Sequence, residues 1–221
     1  MGQKLKLVKN AAGRKVPTLV NGVKAIPFKG VGRYSPKGVK AAPPIRSCND
    51  YPSSGNKVVS SLKEALKKCG IKNGMTISNH HRFRNGDGAS IKVFDTAAKM
   101  GVKNLRWFPS ASFPCHKPMI KHMENGVIHH IEGSLNGPLG NYASDGKMKG
   151  LAVLRSHGGR WQAIQDGEVH IDIAIIAAPT ADPFGNCTGD RGPSACGLLG
   201  FGLADSLYAD HVVVVTDNLV D

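Results

Sequence analysis

The chain has 221 residues, 41% of them hydrophobic, which is enough to bury a real core. No run approaches the roughly 20 apolar residues that a membrane-spanning helix needs. The net charge of +13 is unevenly placed: residues 1–50 hold eleven Lys and Arg against the single acid Asp50, whereas the other 171 residues hold eighteen basic and fifteen acidic groups. A basic segment of this kind suits an acidic protein, a phosphorylated ligand or nucleic acid, or is a solvated face. Aromatic residues are only 6% of the chain and are not interleaved with the basic ones, so nucleic acid is the weakest of these partners. The N-terminal "MGQKLKLVKNAAGRK" lacks an apolar h-region, so no secretory signal is expected. Cysteines at 48, 69, 115, 187 and 196 form no CxxC pair, which points to reduced thiols in a cytoplasmic setting.

Residues 1–56, rich in Gly, Pro and Lys, read as a basic extended arm, and 57–221 as one α/β domain. "KVVSSLKEALKKCG" (57–70) places Val58, Val59, Leu62, Ala65, Leu66 and Cys69 on one helical face and stops at Gly70. "GMTIS" reads as a short buried strand, followed by the loop "NHHRFRNGDG" (79–88) and a helix in "ASIKVFDTAAKMG" with Val93, Phe94, Ala97 and Ala98 inward. "VKNLRWF" is a strand, "PSASFP" a loop, "CHKPMIKHMENG" a helix and "VIHHIEG" a strand. A short helix is expected near 139–148, then a strand in "LAVLRS", a helix in "GGRWQAIQDGE" and an apolar strand in "IDIAIIAAP". A glycine-rich loop over 181–202 leads to the strand "HVVVVTD". Strands alternating with helices, several apolar on both faces, indicate an open, mostly parallel sheet covered on both sides. Ligands of such sheets bind beyond the carboxyl ends of the strands. Four polar loops, "NHHRFRNGDG", "PSAS", "SHGGR" and "PTADPFGNCTG", should converge there.

Three chemistries are open for these loops. Metal binding is poorly served: His80 and His81 are adjacent and point apart on extended backbone, His129 and His130 do the same, and neither HExxH nor zinc-finger spacing occurs. No metal is therefore expected. Nucleophilic catalysis lacks a GxSxG, Ser110, Ser112 and Ser156 have no obvious base, and Cys187 and Cys196 simply flank "TGDRGPSA". Anion binding fits better. "RNGDGAS" and "SHGGRWQAI" each run from a glycine loop into a helix, whose first N–H groups favour a negative ligand. Arg84 and Arg160 are candidates for paired contacts to a carboxylate. Asp87 is alternatively an N-cap, Asp182 a loop-fixing side chain, Arg155 a surface residue, and Trp107 and Trp161 packing residues. The GxGxxG fingerprint is missing, so a dinucleotide is not indicated.

The segments "NGMTISNHHRFRNGD", "SHGGR", "AIQDGEVHIDIAIIAAPTADPFGNCTG" and "GFGLADSLYADHVVVVTDNLV", with the arm piece "PFKGVGRYSPKG", together resemble the citrate lyase alpha subunit family, the citrate CoA-transferase component. "APTADPFGNCTG" is similar to the Ser-Pro-x-Asp-x-x-Gly loop of CoA transferases. "FRNGDG" departs from the family's Arg-Gly-Gly-Asp form. The resemblance implies a NagB/RpiA/CoA-transferase-like α/β fold and exchange of acetyl for citryl on a thiol. That thiol is the prosthetic group of an acyl carrier protein or CoA, a co-substrate rather than a tightly bound cofactor. It further implies citrate as substrate and a complex with beta (lyase) and gamma (acyl carrier) subunits. The family's subunit is roughly twice this length, so the resemblance makes this chain the N-terminal half, with the C-terminal half as a partner and an incomplete active site on its own. The site residues implied are His80 and His81 as catalytic candidates for moving a proton at the thiol. Ser78, Asn79, Arg84, Gly86, Asp87, Ser110, Ser112, Ser156, His157, Gly158, Gly159, Arg160, Asp182 and Asn186 are the substrate- or CoA-binding candidates. Acyl carrier proteins of the family are acidic, which offers the basic arm a partner. Two other classes remain: a sugar-phosphate isomerase or deaminase using Asp87 with His80, and a non-catalytic binding module docking an acidic protein or RNA through its arm.

Overall fold

The structure, a computed structural model, describes residues 6–29, 53–80 and 83–221. The described part of the basic segment folds into two small antiparallel hairpins, β1 (Leu7–Lys9) with β2 (Lys15–Pro17) and β3 (Leu19–Val20) with β4 (Val23–Lys24). Asn21, at φ 47°, turns the second hairpin and donates through Nδ2 to the carbonyls of Met148 (2.8 Å) and Gly150 (2.9 Å), which ties the segment to the body.

The body begins with α1 (Leu62–Lys68). Its start is later than the apolar pattern suggests. Ser61 caps it by accepting from Glu64 N (3.2 Å), while Glu64 reaches back to Ser60 N and Oγ (2.9 and 2.7 Å). This reciprocal cap fixes the first turn at Ser61 and leaves Val58 and Val59 outside the helix, Val58 exposed. Then come β5 (Thr76–Asn79), α2 (Ala89–Lys99), β6 (Leu105–Pro109), α3 (Met119–Glu124), β7 (Ile128–Gly133), α4 (Pro138–Ser144), β8 (Ala152–Leu154), α5 (His157–Gln165) and β9 (Ile173–Ala177). A hairpin of β10 (Thr180–Ala181) and β11 (Cys187–Thr188) precedes α6 (Gly202–Tyr208) and β12 (His211–Val215). In "CHKPMIKHMENG" only the second half is α-helix: Pro118 stands before its first turn, and Pro114–His116 is a separate 3₁₀ turn. Helix α6 lies where a glycine-rich loop and its continuation gave no apolar period long enough to read as a helix.

Six strands form one parallel sheet in the order β12-β9-β5-β6-β7-β8. The chain starts in the middle at β5, steps outward through β6, β7 and β8, then returns to the other side of β5 for β9 and β12. Neighbouring strands β5 and β9 thus send their following loops in opposite directions. That reversal is the topological switch point, where a crevice opens at the carboxyl edge. Ile77, Trp107, Ile131, Ile173 and Ile175 build one face against Leu66, Phe94, Met119 and Leu139 of α1–α4. Phe108 and Ala174 build the other against Ala163, Ile164 and Ala204 of α5 and α6. The wholly buried "IAIIA" of β9 is the signature of a strand covered on both faces.

Gly133 closes β7 where β6 passes close by. A Cβ there would lie 2.1 Å from the carbonyl oxygen of Pro109. Gly133→Ala is therefore expected to destabilise the chain by about 1–3 kcal/mol through overpacking against backbone. A thermal melt with an unchanged midpoint would show that the two strands can part without loss.

Candidate functional site

The switch-point loops follow β5 and β9, and two polar networks lie beneath the carboxyl edge. The first is centred on Asp205 of α6, which is fully buried. Arg160 of α5, 1% exposed, donates Nη1 to Asp205 Oδ1 and Nη2 to Asp205 Oδ2, both at 2.8 Å. Its Nη2 also donates to Ser78 Oγ (2.6 Å) and the Phe108 carbonyl (3.1 Å), and the guanidinium lies 4.5 Å from the Phe108 ring centroid. Ser78 Oγ in turn donates to Asp205. His80, also buried, places Nε2 3.3 Å from Asp205 Oδ2. A planar fork against a carboxylate in a dry setting is the strongest form of such a pair. It clamps α5 and α6 to the carboxyl end of β5.

The second network is centred on Asp87. Its Oδ1 accepts from Ala89 N (2.9 Å) and its Oδ2 from Ser90 Oγ (2.6 Å), so it caps the first turn of α2. His116 Nε2 meets Oδ2 at 3.0 Å, while His116 Nδ1 accepts from Phe113 N at 2.9 Å. The Nδ1 bond leaves the ring proton on Nε2, pointing at Asp87. Burial pushes the Asp87 carboxyl up, but the hydrogen bonds from His116 and Ser90 outweigh it and hold the group below its ordinary value. Asn79 joins this network by donating to Ser90 Oγ and accepting from Trp107 Nε1. Trp107 is a packing residue with one polar bond. Arg84, at φ 49°, and Gly86 form an exposed 3₁₀ turn over Asp87, pinned to the next loop by Asn85 Oδ1 accepting from Cys115 N (2.8 Å). Burial pushes the Cys115 thiol up.

The candidates thus divide by environment. Ser78, Asn79, His80, Asp87, Ser110, Ser112 and Arg160 are buried under the edge, whereas Arg84, Gly86, Ser156, His157, Gly158 and Asn186 are exposed on it, with Gly159 between. Ser112 bridges to the β7 loop through Asn136, accepting from its N–H at 2.9 Å. Ser156 caps α5 by accepting from Gly159 N (3.0 Å), and His157 stacks near Phe201, centroids 4.7 Å apart. Asp182 accepts from Phe184 N, Asn186 N and Asn186 Nδ2 at 2.8–3.0 Å, and these bonds hold its carboxyl below its ordinary value and fix the loop. His81 lies outside the described residues. The carboxylate–histidine pair required by an isomerase is not set up as the sequence suggested: Asp87 is committed to His116, and His80 lies against Asp205.

Three buried ionisable groups escaped the sequence reading: Asp205, His116 and Glu132. Asp205 sits among small and apolar residues in "GLADSL", a lone acid whose only signal is its isolation. His116 falls in a segment that reads as plain helix. Glu132 on β7 gathers Arg106 (2.7 Å), His130 (3.2 Å) and Arg155, which continues to Glu168 (2.7 Å). Arg155 is thus a half-buried member of the ion network around the buried Glu132 rather than a plain surface residue. Burial raises the Glu132 carboxyl, but His130, Arg106 and Arg155 together lower it to about 2. Cys69, Cys115, Cys187 and Cys196 are thiols outside any disulfide, and Cys48 lies outside the described residues. Among the described residues one group of three metal-capable side chains, His170, Asp172 and Asp210, sits at the opposite, amino edge of the sheet, with His170 already bonded to Asp210 at 2.8 Å. No described helix is long and apolar enough to cross a membrane.

The open parallel sheet and its loop cluster define an α/β domain of the class whose ligands sit at the carboxyl edge. The chain belongs to the citrate lyase alpha subunit family, whose model matches residues 55–221. The citrate lyase alpha chain of Haemophilus influenzae is 38% identical over 189 residues, covering 85% of this chain and 38% of that one. That of Klebsiella pneumoniae is 43% identical over 166 residues, covering 75% and 33%. A crystal structure assigned to the alpha subunit of citrate lyase from Streptococcus mutans, in complex with citrate, is 41% identical and superposes with a TM-score of 0.76 over 85% of this chain and 36% of that one. The alpha subunit of a malonate decarboxylase from Acinetobacter baumannii shares the fold at 15% identity and a TM-score of 0.54, covering 79% of this chain and 31% of that one. The expected CoA-transferase-like α/β class is borne out, and the chain spans about a third of the length of its curated relatives.

Proposed function

We propose that this chain is the citrate- and thioester-handling N-terminal part of a citrate CoA-transferase. The reaction is acetyl-thioester plus citrate giving citryl-thioester plus acetate. The observation that carries the reading is the family match over 55–221, together with a citrate-bound relative of the same fold at 41% identity. A citrate carboxylate attacks the acetyl carbonyl, the thiolate leaves, and a mixed anhydride results. The thiolate then attacks the citryl carbonyl and releases acetate, so no external oxidant or water is consumed. Each attack builds an oxyanion, and N–H groups of the glycine loop at the start of α5 are suited to stabilise it, the start of α2 being capped already by Asp87. Exposed Arg84 is suited to a citrate carboxylate. Arg160, paired with Asp205, acts in this reading as the floor of the site. His80 or His81 moves the thiol proton.

The co-substrate is acetyl-CoA or the acetylated prosthetic group of an acyl carrier protein. The partners are the lyase and acyl carrier subunits and the remaining part of the alpha chain, in the cytoplasm. The test is acetyl transfer from acetyl-CoA to citrate, read by mass spectrometry, first with this chain and then with the remaining segment of a relative added. Citryl-CoA is expected only with both. Strong turnover by this chain alone would mean that it holds a complete site. No citryl-CoA from two folded, associated parts would overturn the transferase reading.

A further inference from the structure

We propose that His116 is a positioning residue for citrate: through Asp87 it holds the turn of Arg84 where that guanidinium can meet a citrate carboxylate. The inference rests on the transferase reading above and deepens it by naming what sets the affinity of the site for citrate.

Arg84 stands at φ 49° in the exposed 3₁₀ turn Arg84–Gly86. A residue with a Cβ persists in that conformation only where its surroundings over-determine it. The turn's own bonds are few: Gly86 N donates to Phe83 O at 2.8 Å, and Asp87 N reaches Arg84 O only at 3.4 Å. Three further ties come from one place, the short turn Pro114–His116 after β6. Cys115 N donates to Asn85 Oδ1 (2.8 Å), Cys115 Sγ to the Arg84 carbonyl (3.5 Å) and His116 Nε2 to Asp87 Oδ2 (3.0 Å).

Of the three, the His116 bond has the most rigid base. The ring is fully buried, its centroid is 5.7 Å from that of Trp107, and its other nitrogen is fixed by Phe113 N, which donates to Nδ1 at 2.9 Å. The Nε2–H is thereby held toward Asp87. Asp87 closes the far end of the Arg84 turn and also caps α2 through Ala89 N and Ser90 Oγ. Its carboxylate is thus a joint between α2, which packs into the core through Val93 and Phe94, and the turn, which lies on the surface. A hydrogen bond to a buried carboxylate is stronger than a neutral one, so His116 fixes how that joint is set. Arg84 lies three residues before the joint at the end of a long side chain. A small rotation at Asp87 therefore moves the guanidinium further than the carboxylate. Misplacing a binding group by about 1 Å can cost on the order of 10²-fold in rate.

A merely structural histidine would leave a different mark. Without the His116 bond, Asp87 still caps α2 through Ala89 N and Ser90 Oγ, so the helix is kept and the turn is what is released. His116 itself is buried away from any substrate and acts only through the turn. Arg84 is offered to a citrate carboxylate, so the effect falls on citrate and not on the thioester.

The experiment measures KM and kcat for citrate in acetyl transfer from acetyl-CoA, with this chain paired with the remaining segment of the Haemophilus influenzae alpha chain. Two substitutions separate the two bonds of the ring. His116→Asn keeps an acceptor for Phe113 N and withdraws the donor to Asp87, whereas His116→Gln reaches Asp87 with its amide and gives up that acceptor. His116→Asn is expected to raise KM for citrate by about tenfold, the loss of one hydrogen bond to a charged group, with kcat within about threefold and KM for acetyl-CoA unchanged. His116→Gln should return KM to within about threefold of the parent. In the same samples, hydrogen exchange over residues 84–90 should quicken by at least about fivefold in His116→Asn and not in His116→Gln. Should the His116 variants fail to fold, Asn85→Ala, which removes the exposed tie to Cys115 N, should raise KM for citrate by about threefold, and no rise would overturn the proposal. A lowered kcat with unchanged KM, the mark of a smaller folded fraction, would overturn it, as would equal effects of His116→Asn and His116→Gln. If the parent parts, folded and associated, make no citryl-CoA, the functional reading falls and the role toward citrate falls with it. Exchange over 84–90 then decides by itself whether His116 holds the turn, and unchanged exchange in His116→Asn would overturn that as well.

Discussion

Asp205→Ala is expected to lower the folding stability of the chain by about 3–5 kcal/mol, enough to leave much of it unfolded at 37 °C. The reason is what the substitution leaves behind rather than what it removes. Arg160 cannot lose its proton, and at 1% exposure it cannot reach water. Without Asp205 its guanidinium would keep, among the described residues, Ser78 Oγ and the Phe108 carbonyl as acceptors, while Ser78 would lose its acceptor and His80 the carboxylate beside it. An unpaired buried cation is among the few features that make a single substitution severe. Removing both charges is a different matter: Arg160→Met with Asp205→Leu should recover a large part of the loss, since a buried ion pair replaced by apolar groups of similar size is often near neutral. Urea denaturation of the two single variants and the double variant measures the coupling directly. A single-variant loss below about 1 kcal/mol would show that water enters the network, and that the clamp joining α5, α6 and β5 is weak.

Acid should remove the second large contribution, that of Glu132. Its carboxyl titrates at about 2 in the folded chain against an ordinary value of 4.5. A carboxylate held low when folded stabilises the fold above its unfolded value, and the contribution is lost as pH falls from about 4.5 toward 2. Integrated over that window, the contribution is on the order of 3 kcal/mol at neutral pH. The Glu132 contribution to stability, measured by urea denaturation, should therefore be lost steeply below about pH 4.5. Glu132→Gln should be less stable than the parent at pH 7, because Arg106 and Arg155 lose their counter-charge, and its stability should change less with acid. Parallel pH profiles for parent and variant would place the acid sensitivity elsewhere, with Asp87 next in line because His116 and Ser90 also hold it low.

The parallel α/β class, most of the strands and the loops at the carboxyl edge were legible in the sequence because they rest on local signals. "IDIAIIAAP" reads as a strand covered on both faces, and Gly70 and Gly101, both at positive φ, mark where α1 and α2 stop. The element limits were less legible where a polar cap overrides an apolar pattern, as Ser61 with Glu64 does at α1. The short α6 was not legible at all, since seven residues between a glycine loop and a strand hold too little period.

Residue types and chain order by themselves determined the family, the two-sided sheet and a candidate set of polar loop residues. Which of those residues face solvent was decided only in three dimensions. Arg160 and Asp205 are 45 positions apart, and Ser78 and Asp205 are 127 apart. Charge read along a chain gives a side chain's type and not its partner. Only after α5 and α6 had packed on the same face of the sheet could Arg160 meet Asp205 beneath the carboxyl edge. Arg84, on a left-handed turn above Asp87, was left as an exposed guanidinium at the edge.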